Sequence, residues 1–457
     1  MAEPGAISQV TSKENDHRTP YLPSYDAGPQ GMLIPPILQL YILQRQQWLD
    51  LESLARIQRK KLAALVNDAY DNVRYYRRLF DSAKIKPSDI KSAYDLRKVP
   101  ITERRDLQTR SIGDVTAGHV DLRKCKKTLT AGSSARPLMS YRTTREDNLI
   151  DIVWARGCRE DGQRIWDKNA DYHSYLYIPR RWFEHLGIWR RTTIPTFAPI
   201  YRQVEVVKRA RPDIIRGNSF ELATLARAVQ RDGIEEIRPR LVFQMGQFLD
   251  EQTRKLIESA LHTKVFDFYA STELGCLAWE CSEHFGYHIN MDSVVLEVLD
   301  NNDEPVSPGE RGKLICTGLL SHAMPFIRYN MGDVGSLSDE SCPCGRGLPI
   351  LEHLDGRAYD FFISADGASH SPSLIQNQIL RVPGVQQFKV VQESETSVTV
   401  NIVPDTHFSI DTTERLKEIM KGILGNNTDV RVEIVGEIPR DPSGKLQAIV
   451  SKVRRNQ

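Results

Sequence analysis

The chain has 457 residues, enough for two to three domains and a large buried core, and too long for a lone binding module. With 40% hydrophobic and 26% charged residues it is neither disordered nor collagen-like, and its formal charge of +2 is too small for the broad positive field that nucleic-acid binding uses. Seven cysteines are too few for a disulfide scaffold, and the odd count suits a reducing, cytoplasmic setting.

In chain order, residues 1–30 are rich in Gly, Pro, Ser and charge and lack the apolar run of a secretory signal, so 1–35 is expected as a flexible tail. No apolar stretch approaches the roughly 20 residues needed to cross a bilayer, and no membrane partner is expected. Across 41–80, Leu, Ile and Tyr recur at helical spacing among Arg, Lys and Gln, which predicts amphipathic helices. Pro100 and the pair Thr102-Glu103 mark a break and a fresh helix cap. From 128 to 353, β-rich runs (174–178, 240–244, 263–268, 294–299, 312–317) alternate with helix-like segments (145–156, 220–232, 251–261), which predicts an α/β body. After Gly356-Arg357 the texture becomes that of a compact α+β unit. It has helices at 374–380 and 412–423, strands at 385–392, 397–403 and 429–435, and a hinge near 355–360.

Four segments carry chemistry. Thr130-Ala131-Gly132-Ser133-Ser134-Ala135-Arg136-Pro137 packs hydroxyls, a Gly and a guanidinium into one loop, groups that suit phosphate oxygens, although taken alone a Ser-rich surface turn explains it better. It lacks the Walker spacing. Phe266-Asp267-Phe268-Tyr269-Ala270-Ser271-Thr272-Glu273 is a β-prone run ending in a carboxylate that suits Mg²⁺, with an aromatic ring that can stack on a base; its ordinary reading is a strand end. In Pro325-Phe326-Ile327-Arg328-Tyr329-Asn330-Met331-Gly332-Asp333 a glycine turns the backbone just before a carboxylate that can accept both hydroxyls of a ribose. Ile438-Pro439-Arg440-Asp441-Pro442-Ser443-Gly444-Lys445 presents one lysine on a loop of the small C-terminal unit.

In this order and spacing, together with Gly356-Arg357, Tyr75-Tyr76-Arg77 and Glu280-Cys281, the segments resemble the adenylate-forming enzyme superfamily, and within it the phenylacetate-CoA ligase-like branch, from about residue 62 to the end. The resemblance implies an acyl-CoA synthetase-like α/β fold: a large N-terminal adenylating domain (36–355) and a small mobile α+β C-terminal lid (356–457). It implies an AMP-forming acid–CoA ligase using ATP and Mg²⁺, with CoA as the thiol and an amine acceptor left open. A carboxylic acid and this acceptor are the expected partners, and a homodimer is kept as a candidate assembly. Carried over by position, Thr130, Gly132, Ser133, Ser134 and Arg136 hold phosphates and Glu273 meets Mg²⁺. Tyr269 packs on adenine within Tyr269-Ala270-Ser271-Thr272, Asp333 holds the ribose, Gly246, Arg328 and Arg357 contact the nucleotide, and Lys445 bridges the attacking carboxylate and the α-phosphate. An anionic acid approaching a polyanionic phosphate requires such a cation independently of any likeness.

Several positions depart from the pattern. Ala135 stands where a second Gly is usual, Arg136 replaces a Lys, Gln247 a frequent Glu, and Tyr359 an Asp or Lys at the hinge. A nucleotide-binding scaffold without turnover and a kinase are the competing classes; Glu273, Asp333 and Lys445 together argue against the first. Cys281-Ser282-Glu283-His284 and Cys342-Pro343-Cys344-Gly345 supply three thiols and an imidazole, with His288 as an alternative fourth ligand. They are either ordinary reduced cysteines or a closed, structural zinc site, the latter implied by the resemblance because some members of the branch carry such a metal. The aromatic stretch 172–177 with Trp182, Phe183 and His185 matches the region that helps line the acyl pocket in relatives; it suits an aromatic or extended apolar acid, or simply a packed core.

Overall fold

The structure is a computed structural model describing residues 35–129, 138–173, 182–196, 198–357, 361–370, 372–405, 407–439 and 448–453. The chain opens with helices α1 (Pro36–Gln46), α2 (Leu51–Asn72) and α3 (Arg74–Ser82). Asp50 caps α2 by accepting the Ser53 amide at 2.8 Å, and Leu54, Leu62, Leu65, Val66 and Ala69 form its buried stripe. Two short helices, α4 (Arg104–Gln108) and α5 (Ile112–Val115), follow, with Asp106 accepting from the Glu103 amide at the start of α4. Strands β1 (Lys126–Leu129) and β2 (Met139–Arg142) pair antiparallel, and helix α6 (Thr144–Glu160) follows β2 directly.

The body then alternates β3 (Asn169–His173), β4 (Arg191–Pro195), α7 (Ile200–Ala210), β5 (Ile214–Gly217), α8 (Ser219–Arg231), β6 (Leu241–Met245), α9 (Glu251–Leu261) and β7 (Lys264–Ser271). An antiparallel series follows: β8 (Gly275–Glu280), β9 (Tyr287–Ile289), β10 (Val294–Leu299), β11 (Gly312–Gly318), β12 (Tyr329–Leu337) and β13 (Ile350–Arg357). All eleven strands from β3 to β13 join one sheet in the order β10-β11-β12-β13-β9-β8-β7-β6-β5-β3-β4. The half from β7 to β4 is parallel, because helices return the chain; the half from β8 to β10 is antiparallel.

Alternation along β6 divides the core. Val242 faces a cluster built on α7, α8 and α9, while Leu241 and Phe243 face one built on α6 with Phe266, Phe268 and Trp279. Gly157 lets α6 approach the sheet, since a Cβ there would lie 2.7 Å from the Phe268 ring. The N-terminal helices cover the antiparallel half in a further cluster. The expected strand at 174–178 lies outside the described residues; the strand of this region is β3.

Beyond β13, a two-stranded pair β14 (Phe362–Ile363) and β15 (Ser369–His370) precedes α10 (Pro372–Leu380). A four-stranded sheet orders β18 (Asp429–Ile434), β17 (Ser397–Pro404), β16 (Val385–Ser394) and β19 (Ile449–Ser451), with α11 (Ile410–Leu424) packed on it. Its core, from Phe362 to Ile449, is separate from the other three. No helix among the described residues is long and apolar enough to cross a membrane.

Candidate active site and metal centre

In a parallel sheet the carboxyl ends of the strands open onto a crevice, and here β5, β6 and β7 deliver Gly217, Gly246 and the run 269–273 to that edge. Ala270, Ser271 and Thr272 are half-buried, and Gly246 is exposed in a left-handed turn (φ +81°). Glu273 is 6% exposed, and its Oε1 accepts from Arg104 Nη1 at 3.2 Å and from the Tyr329 hydroxyl at 3.3 Å. The Tyr269 hydroxyl donates to Asp333 Oδ2 at 2.8 Å, so the β7 motif and the β12 motif, 64 residues apart, meet in one site.

Local turns place Asp333. Gly332 takes φ +75°, and its amide donates to Asn330 Oδ1 at 2.9 Å, which turns the chain just before the carboxylate. In the β12–β13 ladder Asp333 stands opposite Arg357, which brings the backbone of the second expected nucleotide contact beside the first. The phosphate-loop residues Thr130, Gly132, Ser133, Ser134 and Arg136, and Lys445, lie outside the described residues. Of the aromatic stretch, Tyr172 is buried, His173 half-buried and His185 exposed.

Arg328 is corrected. Its guanidinium, expected on the nucleotide, is buried against Glu297 at 3.1 Å and donates to the carbonyls of Val99 at 2.8 Å and Arg97 at 3.1 Å. It straps the entry of β12 to the segment before α4, in a left-handed backbone conformation (φ +50°). That strap explains two residues the sequence reading missed. The Thr102 amide donates to the Arg328 carbonyl at 2.9 Å, and Asn330 returns a bond to the Thr102 carbonyl at 3.0 Å, which carries Arg104 to Glu273. Arg142, buried at the end of β2, donates to the Thr272 carbonyl and lies 3.7 Å from Asp147. Burial pushes its pKa down, opposed by Asp147 and Glu273. Gln247, where a Glu is frequent, points Oε1 at the Phe220 amide (3.4 Å) in the first turn of α8, a contact a neutral amide makes as well as a carboxylate.

The second cluster is thiol and imidazole. The ligand atoms of Cys281, His288, Cys342 and Cys344 all lie within 4.8 Å of one another. Cys281 Sγ is 3.7 Å from Cys342 Sγ, and Cys344 Sγ is 3.3 Å from His288 Nε2. A tetrahedral ion with bonds of about 2.3 Å to sulfur requires sulfur–sulfur edges of about 3.8 Å, so the donors fit zinc. Burial, then the charge of Arg346, pushes His288 down to about 4, which keeps the imidazole a neutral donor. The segment from Cys342 turns tightly: Gly345 takes φ +82° and its amide donates to the Cys342 carbonyl at 3.1 Å. His284, the first expected partner of the thiols, is replaced by His288. The tight turn after Cys281 leaves His284 left-handed (φ +49°), its ring stacked on Phe266 and its Nδ1 3.5 Å from Glu280. His288 instead pairs with Trp279 of β8 and Ile350 of β13, between the two cysteine segments.

Behind β7 lies a buried network. Arg254 Nη2 binds both oxygens of Glu280 at 2.8 Å, the Asp267 amide donates to Glu280 at 2.9 Å, and the Tyr287 hydroxyl donates to Asp267 at 2.7 Å. Burial, then the charge of Glu280, pushes Asp267 up to about 8.

Known proteins share the sequence pattern in part and the fold. Residues 362–452 match the family model described as the CapK C-terminal domain. A phenylacetate-coenzyme A ligase of Thermus thermophilus is 26% identical over 432 residues, covering 87% of this chain and 96% of that one. One of Escherichia coli is 27% identical over 419 residues, covering 86% and 93%. Among solved structures, 2-hydroxyisobutyryl-CoA ligase in its postadenylation state superposes with a TM-score of 0.73 at 21% identity, covering 94% of this chain and 95% of that one. The same ligase in its thioesterification state gives 0.62 at 20% identity, covering 93% and 94%. Along most of its length the chain is thus similar in sequence to phenylacetate-coenzyme A ligases, and it shares the fold of a CoA ligase of known structure.

Proposed function

We propose that the protein is an AMP-forming carboxylate ligase that activates a carboxylic acid with ATP and passes the acyl group to CoA. In the first step a carboxylate oxygen attacks the α-phosphorus, a P–O bond forms, and pyrophosphate leaves with the other bonding pair. In the second, a thiolate attacks the acyl carbon and AMP departs, giving a thioester. The observation that carries the reading is the Tyr269–Asp333 bond beside Glu273 at the carboxyl edge of the sheet, in a chain alike over 87% of its length to a phenylacetate-coenzyme A ligase.

In this reading Asp333 holds the ribose, Tyr269 fixes Asp333 and borders the adenine, and Arg357, opposite Asp333, contacts the nucleotide. Ala270, Ser271, Thr272 and Gly246 form the floor. Glu273, held by Arg104 and Tyr329, is the residue that meets Mg²⁺, whose charge offsets that of the phosphates. Thr130, Gly132, Ser133, Ser134 and Arg136 grip the phosphates, and Lys445 neutralises the approach of the acid. The chain divides into a large unit (36–355) and a mobile lid (356–457) that carries Lys445. Cys281, His288, Cys342 and Cys344 hold a structural zinc: four protein donors leave no position for water. The acid is aromatic or extended and apolar; this rests on the names of the curated relatives and on the aromatic stretch from Tyr172.

The test is a pyrophosphate-release screen over a panel of carboxylic acids, with CoA, with amines and with neither. AMP, pyrophosphate and an acyl-CoA are expected. ADP as product overturns the reading in favour of a kinase, an amide made without CoA moves the acceptor to an amine, and no turnover with any acid leaves a nucleotide-binding scaffold.

A further inference from the structure

The parallel half of the sheet has a second edge. The carboxyl ends of its strands form the mouth described above; the amino ends of β3, β4 and β5 lie on the far side, about 16 Å away along strands of about five residues. Hydrogen bonds draw the connections at this edge together. The Asn169 amide donates to the Arg190 carbonyl at 2.7 Å, the Trp189 amide to the Ile165 carbonyl at 2.9 Å, and the Asp213 amide to the Lys168 carbonyl at 2.9 Å. Residues 165–168, 189–190 and the turn after α7 therefore stand side by side. A short helical turn, Trp182–Leu186, joins them, tied to the start of β4 by Glu184, whose Oε1 accepts from Arg191 Nε at 2.8 Å.

Two kinds of side chain project from this edge. Trp166 is 66% exposed and Leu186 64%, with Ile165 beside them. Around them Arg164, Lys168, Arg190 and Arg211 are exposed. The carboxylates of the same connections are turned inward or engaged. Asp161, Asp167 and Glu184 are buried, Asp167 Oδ2 accepts the Arg164 amide at 2.5 Å, and Asp213 Oδ2 accepts the Lys168 amide at 2.8 Å. One strand further on, Glu235 and Glu236 are paired with Arg238 at 3.5 Å and Lys208 at 3.3 Å. Among the described residues no ion pair engages the side chains of Arg164, Lys168 or Arg190, so the outermost charge beside the exposed indole is positive.

An indole and two aliphatic side chains ringed by unpaired cations complement the outer layer of an anionic bilayer: the apolar groups enter the boundary between headgroups and acyl chains, and the cations meet the phosphates. A nucleic acid would use the cations and leave Ile165 and Leu186 without a role, and a net charge of +2 supplies no broad field for it. The expectation against a membrane partner rested on spanning length, which contact with a surface does not need. We propose that the amino edge of β3, β4 and β5, with Trp166 and Leu186 at its tips and Lys168 and Arg190 beside them, docks the protein on an anionic lipid surface while the carboxyl edge faces solvent. The proposal does not depend on the ligase reading.

The test is co-sedimentation of the full chain with vesicles of phosphatidylcholine alone and of phosphatidylcholine with about one third phosphatidylglycerol, at low salt and at about 0.5 M salt. Wild type is expected to bind the anionic vesicles at least about ten-fold more tightly than the neutral ones at low salt, and to lose most of that difference at high salt. Trp166→Ser should weaken binding about ten-fold, and the pair Lys168→Gln with Arg190→Gln about twenty-fold, at about five-fold for each cation. Tyr201→Ser, which removes a comparably exposed aromatic from the opposite edge at the start of α7, should bind as wild type does. No preference for anionic vesicles, a preference that high salt leaves intact, or binding that survives both Trp166→Ser and the double variant overturns the proposal, and so does an equal loss in Tyr201→Ser. A single-stranded oligonucleotide bound more tightly than the anionic vesicles at the same salt, and lost in the same variants, assigns the patch to nucleic acid and overturns it as well. The lipid and salt arms need only wild type, so a variant that fails to fold, as read by its urea midpoint, leaves the proposal open to refutation.

Discussion

The Tyr269 hydroxyl is the smallest group whose removal tests the proposed nucleotide site. Tyr269→Phe keeps the ring, 6% exposed in the core of the antiparallel half, and deletes the bond to Asp333 at 2.8 Å. A hydrogen bond to a carboxylate contributes about 1.5–3 kcal/mol, and 1.4 kcal/mol is a factor of ten, so losing most of it at the ribose weakens ATP binding about ten- to thirty-fold. The hydroxyl touches no reacting atom, so kcat at saturating ATP stays within about two-fold, the pattern of lost uniform binding. The assay is direct titration of ATP in the absence of acid, followed by initial rates of pyrophosphate release against ATP. A Y269F protein that binds ATP as wild type does, or that loses kcat with KM unchanged, refutes the placement of Asp333 on the nucleotide.

The metal centre is checked by comparing two histidines: protein purified without chelator should contain about one zinc per chain, His284→Ala should retain it, and His288→Ala should lose it, by elemental analysis. Equal loss in both variants contradicts the donor set. Asp267 gives a pH signature. Because burial and Glu280 raise its pKa to about 8, the folded state binds a proton more tightly than the unfolded state; the contribution to stability is full below the unfolded value near 3.8 and is lost as pH rises toward 8. Asp267→Asn imitates the protonated form, so urea midpoints of the variant should fall less than those of wild type between pH 5 and 8. The buried pair of Arg156 and Asp292, each 0% exposed and 2.6 Å apart, offers a stability test: Arg156→Met strands the carboxylate and should cost about 3–5 kcal/mol in urea unfolding. A loss under about 1 kcal/mol would mean that Lys61, whose Nζ donates to the Asp292 carbonyl at 2.6 Å, takes over the carboxylate's charge.

Local pattern made much of the fold legible. The apolar run at 294–299 is β10, the helix expected at 251–261 is α9, and the small C-terminal unit follows the order of helices and strands read from its periodicity. What failed was a matter of side-chain direction. Arg328 stands inside the motif, so proximity in sequence assigned it to the nucleotide, yet a left-handed backbone at that residue turns its guanidinium onto Glu297 and the 97–99 carbonyls. His284 sits three residues after Cys281, the spacing of many zinc turns, and a positive φ again aims it elsewhere. Arg104 carried no local signal, because its meeting with Glu273 depends on a bridge between Thr102 and Tyr329, 227 residues away. The sharpest clue available was the helix cap at Thr102-Glu103, which places a cation at the start of α4 without saying where α4 points.

The bond between Tyr269 and Asp333 also constrains the shape of the sheet. From β7 to β12 the order runs through β8, β9 and β13, four steps. At about 4.8 Å per step a flat sheet would hold the two strands about 19 Å apart, beyond the reach of a tyrosine and an aspartate. Contact at 2.8 Å therefore requires the antiparallel half to curl back over its own inner face. The pairing permits this: β13 joins β9 through only Ile350 and Leu351, and its far end, 354–357, stays with β12 as that hairpin swings inward across two register shifts. The inner face is filled by Ala278, Ile289, Leu314, Cys316, Tyr329 and Leu351, one continuous cluster drawn from β8, β9, β11, β12 and β13, closed on its open side by the N-terminal helices. The curl thus serves the site. A parallel half alone presents backbone turns and one carboxylate at its carboxyl edge; folding the antiparallel half over it adds Asp333, Tyr329 and the backbone of Arg357 to the same mouth. On this geometry, substitutions that loosen the inner face, such as Leu351→Ala, weaken nucleotide binding from a position that touches no ligand.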